Sequence, residues 1–141
     1  MLRRSKRGIK GKMTESEKMW VHAPADGELY RMEEIPDEVF SAGVLGRCIG
    51  IMPSSGTIYA PCDGTVASVT DTRHAMGIVS ESGEEYLLHV GIDTVRMNGD
   101  GFKVLREEGS HVTAGEPVLE ADLEKIRSAG YLPMVILVRI E

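Results

Sequence analysis

Two of the four histidines, His74 and His89, sit where a hairpin would bring them together. Segments 75–80 and 84–90 flank Ser80-Glu81-Ser82-Gly83, a turn signature, so they are expected to pair as antiparallel arms. With the turn centred between residues 81 and 82, His74 falls directly opposite His89, or diagonal to it if the turn carries a bulge. The Cβ atoms of opposed or diagonal residues on one face lie roughly 4.5–8 Å apart. Alternation predicts Tyr86, Leu88, Val90 and Ile92 on the core face and Leu87, His89 and Asp93 on the other. By the same count Thr72, His74 and Met76 share a face of the first arm. The expected constellation is a Thr-His-His-Asp cluster framed by apolar side chains.

Such a cluster suits few chemistries. A metal ion normally takes three or four compatible ligands, and here only two imidazoles are assured, with no second histidine at 91 and no cysteine nearby. A serine hydrolase would need a positioned nucleophile, and no GxSxG turn exists. An imidazole nitrogen can itself attack phosphorus and form a phosphohistidine that a second nucleophile later discharges. The neighbouring imidazole can then donate to phosphoryl oxygens while a threonine hydroxyl fixes its tautomer. The alternative is two partly buried histidines satisfied by their neighbours, with no chemical task; spacing alone does not choose between them.

The elements that must hold the pair are strands. Turn signals recur at Asp26-Gly27, Ser55-Gly56, Asp63-Gly64, Ser82-Gly83, Gly99-Asp100-Gly101, Glu108-Gly109 and Ala114-Gly115. They separate expected strands at 27–33, 44–52, 56–60, 64–70, 75–80, 84–90, 117–121 and 133–140, the rhythm of an all-β antiparallel sandwich or barrel-sandwich. One or two short helical turns complete it. Asp122 can cap 123–129 with Gly130 as a left-handed stop, and Pro36 can start a turn through Phe40. Ala23-Pro24-Ala25-Asp26-Gly27 is echoed by Ala60-Pro61-Cys62-Asp63-Gly64, two similar turns that each launch a strand.

Length and charge set the outer limits. The 141 residues, 42% of them apolar, suffice for one core. The longest apolar run, Met134 to Val138, is far short of the roughly 20 residues that cross a bilayer. A soluble, cytoplasmic protein without direct membrane insertion is therefore expected. Arg3, Arg4, Lys6, Arg7, Lys10 and Lys12 make residues 1–19 a basic stretch, expected to be a flexible tail or linker before a folded domain at 20–141. Beyond residue 12, 10 basic residues face 22 acidic ones, which disfavours nucleic acid and favours a partner with a basic face. Cys48 and Cys62 show no CxxC spacing and are expected to be small buried thiols.

The string Leu87-Leu88-His89-Val90-Gly91-Ile92-Asp93-Thr94-Val95 resembles the active-site segment of the glucose-type enzyme IIA domains of the bacterial phosphoenolpyruvate-dependent sugar phosphotransferase system. Ala23-Pro24-x-x-Gly27, Ile35-Pro36-Asp37-x-Val39-Phe40, Ala60-Pro61-x-Asp63-Gly64-Thr65, Thr72-x-His74-Ala75, Gly101-Phe102 and Gly109-x-x-Val112-x-x-Gly115 match in the same order. The resemblance spans about 21 to 139. It implies that His89 accepts a phosphoryl group from the phosphohistidine of the carrier protein HPr and passes it to a cysteine of an enzyme IIB domain during sugar uptake. His74 would be the supporting imidazole and Thr72 its hydrogen-bonding neighbour, with no metal or other cofactor. Phe40, Val44, Leu45 and Val95 stand where the family has its docking surface, and Asp37 and Asp93 match acidic positions there. Thr70 and Leu87 depart from the family, which often has large aromatics at these positions.

Two rival functions come from other classes. A regulatory binding module would inhibit transporters or metabolic enzymes through the unphosphorylated face. A zinc hydrolase on a related β-scaffold would usually carry a His-x-His pair where this chain has His89-Val90-Gly91. A biotin or lipoyl carrier would need a lysine at a hairpin tip, which is lacking.

Overall fold

In the computed structural model, which describes residues 5–9 and 21–141, the chain forms two packed sheets. The larger has eight strands. In chain order they are β1 (Ser5–Ile9), β2 (Gly27–Arg31), β3 (Gly46–Pro53), β5 (Gly64–Val69), β6 (Ala75–Ser80), β7 (Glu85–Ile92), β9 (His111–Val112) and β11 (Leu132–Ile140). Across the sheet they run β1-β2-β3-β11-β7-β6-β5-β9. The smaller sheet has β10 (Pro117–Ala121) between β4 (Thr57–Tyr59) and β8 (Phe102–Val104). Every pairing is antiparallel except β1 with β2. The all-β antiparallel architecture is the one the turn rhythm predicts. In the stretch read as a basic tail, Ser5–Ile9 pairs along β2, whose edge offers unpaired backbone groups. Residues 1–4 and 10–20 lie outside the described residues.

The main core fills the space between the sheets. Leu29, Ile51, Met76, Leu88, Val90, Val135 and Leu137 of the large sheet meet Ile58, Phe102, Val118 and Leu119 of the small one. Each such aliphatic side chain, fully buried, contributes about 1.5–3 kcal/mol. A second cluster lies on the opposite face of the large sheet: Ile35, Phe40, Cys48, Met134, Ile136 and Val138, with Leu87 and Ile92 against it. It is covered by the 3-10 turn Met32–Glu34 and the helix α1 (Glu38–Ser41). Alternate residues of β11 serve both clusters, so its apolar run is unbroken rather than alternating.

The helical turns are set by their caps. Asp37, not Pro36, begins α1: its side chain accepts from the amides of Val39 and Phe40. Asp122 accepts from the Lys125 amide and starts α2 (Leu123–Ser128), and Gly130 follows at φ +91°. The strands β8 and β9, two to three residues each, are too short for a periodic signal and fall outside the predicted set.

Candidate active site

His89 lies on β7 opposite Ala75 of β6, and opposite Ile136 of β11 on its other side. The predicted direct opposition of His74 and His89 is thus off by one residue. Ser80 accepts from the amide of Gly83 and donates its own amide to Glu84, so three residues, 81–83, form the hairpin loop and shift the register. Regular alternation would then put His74 on the wrong face. It escapes because β6 begins only at Ala75, and His74 belongs to the preceding turn, in which Arg73 is left-handed at φ +60°. That turn carries the His74 ring to the His89 ring, with centroids 4.9 Å apart and planes at 86°. Met76, predicted to share this face, points instead into the main core.

Hydrogen bonds fix the tautomer of His89. Its Nδ1 lies 2.9 Å from the carbonyl of Gly91, which can only accept, so Nδ1 carries the proton and Nε2 keeps its lone pair. Gly91 stands at φ +83°, and a Cβ there would lie 2.3 Å from Thr94 Cγ2. Only glycine allows that bend. The buried Thr94 hydroxyl locks it by donating to the carbonyl of Val90 at 2.5 Å. The same bend interrupts alternation, so Ile92 joins the second cluster instead of the core face predicted for it. Asp93 follows, left-handed at φ +63°.

On the other ring, Thr72 Oγ1 is 2.7 Å from His74 Nδ1, and Thr70 Oγ1 is 3.5 Å away. If Thr72 donates to Nδ1, the proton of His74 resides on Nε2, free to donate. The Phe40 ring tilts over His89 with centroids 5.1 Å apart. Burial pushes the pKa of His74 below its ordinary value. His89 is pushed down to about 4, first by burial and then by the proximity of His74. The Gly91 hydrogen bond and the carboxylates of Asp37 and Asp93 oppose this without reversing it. Both imidazoles are therefore neutral near pH 7.

The structure thus brings together His74, His89, Thr72 and Phe40, with Asp37 and Asp93 within electrostatic reach. Phe40, expected at the docking surface, is only 7% exposed and packs against His89 and the second cluster. Val44, Leu45 and Val95 are exposed, at 69%, 38% and 50%. Val39 on α1 is exposed as well and was not singled out from the sequence, although an apolar residue just after a capping aspartate is a visible signal. Nor was the carbonyl of Gly91, whose only trace is a glycine two positions after the histidine. Among the described residues no group of three or more His, Cys, Asp or Glu side chains is placed to hold a metal ion. The cavities along Val69, Arg73 and Lys103 and along Phe102 and Glu120 are lined by neither imidazole.

Comparison with known proteins identifies the family and the fold. Residues 19–141 match the family model described as phosphoenolpyruvate-dependent sugar phosphotransferase system, EIIA 1. The chain is 42% identical over 111 residues to the PTS system beta-glucoside-specific EIIBCA component of Bacillus subtilis (strain 168). That match covers 79% of this chain and 18% of that protein. It is also similar to the solved glucose permease IIA from Mycoplasma capricolum, with a TM-score of 0.77 and 34% identity over 84% of this chain and 78% of that one.

Proposed function

The chain belongs to the EIIA 1 family of the phosphoenolpyruvate-dependent sugar phosphotransferase system, and from this membership we propose that His89 carries the phosphoryl group, with His74 and Thr72 supporting it. The incoming group arrives on the phosphohistidine of HPr. The lone pair of His89 Nε2 forms the new N–P bond as the donor's N–P bond breaks, and the donor imidazole keeps the leaving electron pair. In the onward step a cysteine thiolate of an enzyme IIB domain attacks phosphorus and His89 leaves as neutral imidazole. Little is needed beyond in-line placement and stabilisation of the equatorial oxygens. The Nε2–H of His74 is the donor available for that task.

The observation that carries this reading is the fixed tautomer of His89, a neutral imidazole with its Nδ1 proton committed to Gly91 and its partner ring 4.9 Å away. The exposed apolar residues Val39, Val44, Leu45 and Val95 support docking by other proteins, with Asp37 and Asp93 attracting a basic face. We place the exchange on the cytoplasmic side of the membrane; no helix among the described residues is long and apolar enough to cross one.

Incubation with phosphoenolpyruvate, enzyme I and HPr should add one acid-labile phosphate. His89→Ala should abolish it, while His74→Gln should still accept phosphate and pass it on poorly. Acceptance surviving in His89→Ala but lost in His74→Gln would reverse the two roles.

A further inference from the structure

Thr70 sits outside the Thr72-His74-His89 set, yet its hydroxyl occupies the middle of the turn that carries His74. Thr70 Oγ1 accepts from the amide of Ala75 and donates to the carbonyl of Ala75, both at 3.2 Å. The main chain adds two bonds across the same turn: the Thr70 amide donates to Ala75 at 3.1 Å, and the Arg73 amide to Thr70 at 2.9 Å. The turn needs this support, because Arg73 holds a left-handed conformation that costs a side-chain-bearing residue about 1 kcal/mol or more. A threonine that spans the turn therefore offsets strain at the point where the chain must bend to bring His74 onto the His89 face. The same oxygen lies 3.5 Å from His74 Nδ1, the ring nitrogen that Thr72 contacts at 2.7 Å.

We propose that Thr70 is a positioning residue for His74: it clamps the 70–75 turn through Ala75 and presents a second oxygen to the ring nitrogen that Thr72 contacts. Proton counting gives the clamp a defined part. With its own proton on the Ala75 carbonyl, Thr70 Oγ1 can only accept from His74. When a phosphoryl group raises the basicity of His74 and both ring nitrogens become protonated, Thr70 is a second acceptor for the Nδ1–H. The inference rests on the reading of His74 as the supporting imidazole.

Two variants test it, Thr70→Val, which keeps the shape and removes the hydroxyl, and Thr70→Ser, which restores it. Long-range proton–nitrogen spectra report the tautomer and pKa of His74 without any phosphoryl transfer. Single-turnover transfer from the phosphorylated chain to an enzyme IIB domain reports function. In Thr70→Val the pKa of His74 should fall, moving its ring-nitrogen shifts, and transfer should slow by about ten-fold, the worth of one hydrogen bond to a charged group. Thr70→Ser should return both to within about two-fold of the original. Unchanged His74 shifts in a folded Thr70→Val, or a Thr70→Ser as impaired as Thr70→Val, would overturn the proposal. Should Thr70→Val fail to fold, Thr70→Ala takes its place, and unchanged His74 shifts in the folded Thr70→Ala would overturn the proposal. Phosphate found on His74 instead of His89 would refute the functional reading while leaving the spectroscopic result intact.

Discussion

Opening the cover over His89 should make its nitrogen easier to protonate. The first cause of its lowered pKa is burial, and Phe40 of α1, with ring centroids 5.1 Å apart, is part of what buries it. At a pKa of about 4, about 97% of His89 is neutral at pH 5.5, against about 9% for an ordinary histidine. Phe40→Ala admits water to the ring and should raise the pKa by about one, within the range that partial burial commands. At pH 4.5 the neutral fraction then drops from about 76% to about 24%, a threefold loss of the form that can attack phosphorus. Nitrogen-15 titration of the His89 ring reads the pKa, and acceptance from phosphoramidate, a small donor with no protein of its own to titrate, reads the consequence. Because removing a core phenyl costs about 3–5 kcal/mol, Phe40→Leu serves as the milder companion and should shift the pKa less in the same direction. A wild-type His89 titrating near 6.5, or a pKa unmoved in both folded variants, would refute burial as the cause.

Both imidazoles of the candidate site have folded-state pKa values below those of the unfolded chain, so the unfolded state binds more protons between about pH 4 and 6.5. Stability should therefore be highest above pH 6.5 and fall through that window as pH decreases, with His89→Ala flattening the slope in chemical-denaturation series; an unchanged slope would count against the assignment. Gly91→Ala forces a Cβ against Thr94 Cγ2 at φ +83° and should lower stability by about 1–3 kcal/mol. It should also displace the Gly91 carbonyl, moving the His89 Nδ1 signal in nitrogen-15 spectra. Asp37→Ala removes the cap of α1 and should cost about 1 kcal/mol in thermal or denaturant unfolding. Asp37→Asn, which can still accept from the Val39 and Phe40 amides, should recover most of that loss.

The hairpin that carries His89 was legible because alternation with a period of two needs only local sequence, and Tyr86, Leu88 and Val90 do enter the core as their parity requires. The position of His74 was not legible in the same way. It depends on one extra residue in the 81–83 loop and on the left-handed Arg73, two changes of face that cancel. Parity therefore brought the two rings together for a reason the structure corrects. Phe40 illustrates another limit. Its burial follows from α1 lying over the outer face of the large sheet, a long-range contact whose trace in the sequence is the unbroken apolar run of β11. Ile92 departs from its parity because a single positive φ at Gly91 ends alternation, and glycine alone does not announce which conformation it takes.

Under the role proposed for His89, the features that would make it a good acceptor also favour a carrier over a hydrolase. Burial and the neighbouring imidazole keep the ring neutral, so its lone pair is available at physiological pH, and a neutral leaving imidazole suits onward transfer. The two acidic neighbours act in the opposite sense. Asp37 and Asp93 raise the pKa of His89 only slightly against burial, but once a dianionic phosphoryl group is attached, the same carboxylates repel it. They thereby weaken the stored N–P bond relative to transfer. A rigid setting confines these opposing effects to one nitrogen. The Gly91 carbonyl holds Nδ1, Thr94 holds the bend that presents that carbonyl, and Phe40 excludes water from one side. In the proposed role, the surface of an incoming protein would complete the enclosure, and the exposed Val39, Val44, Leu45 and Val95 are the apolar residues available to meet it.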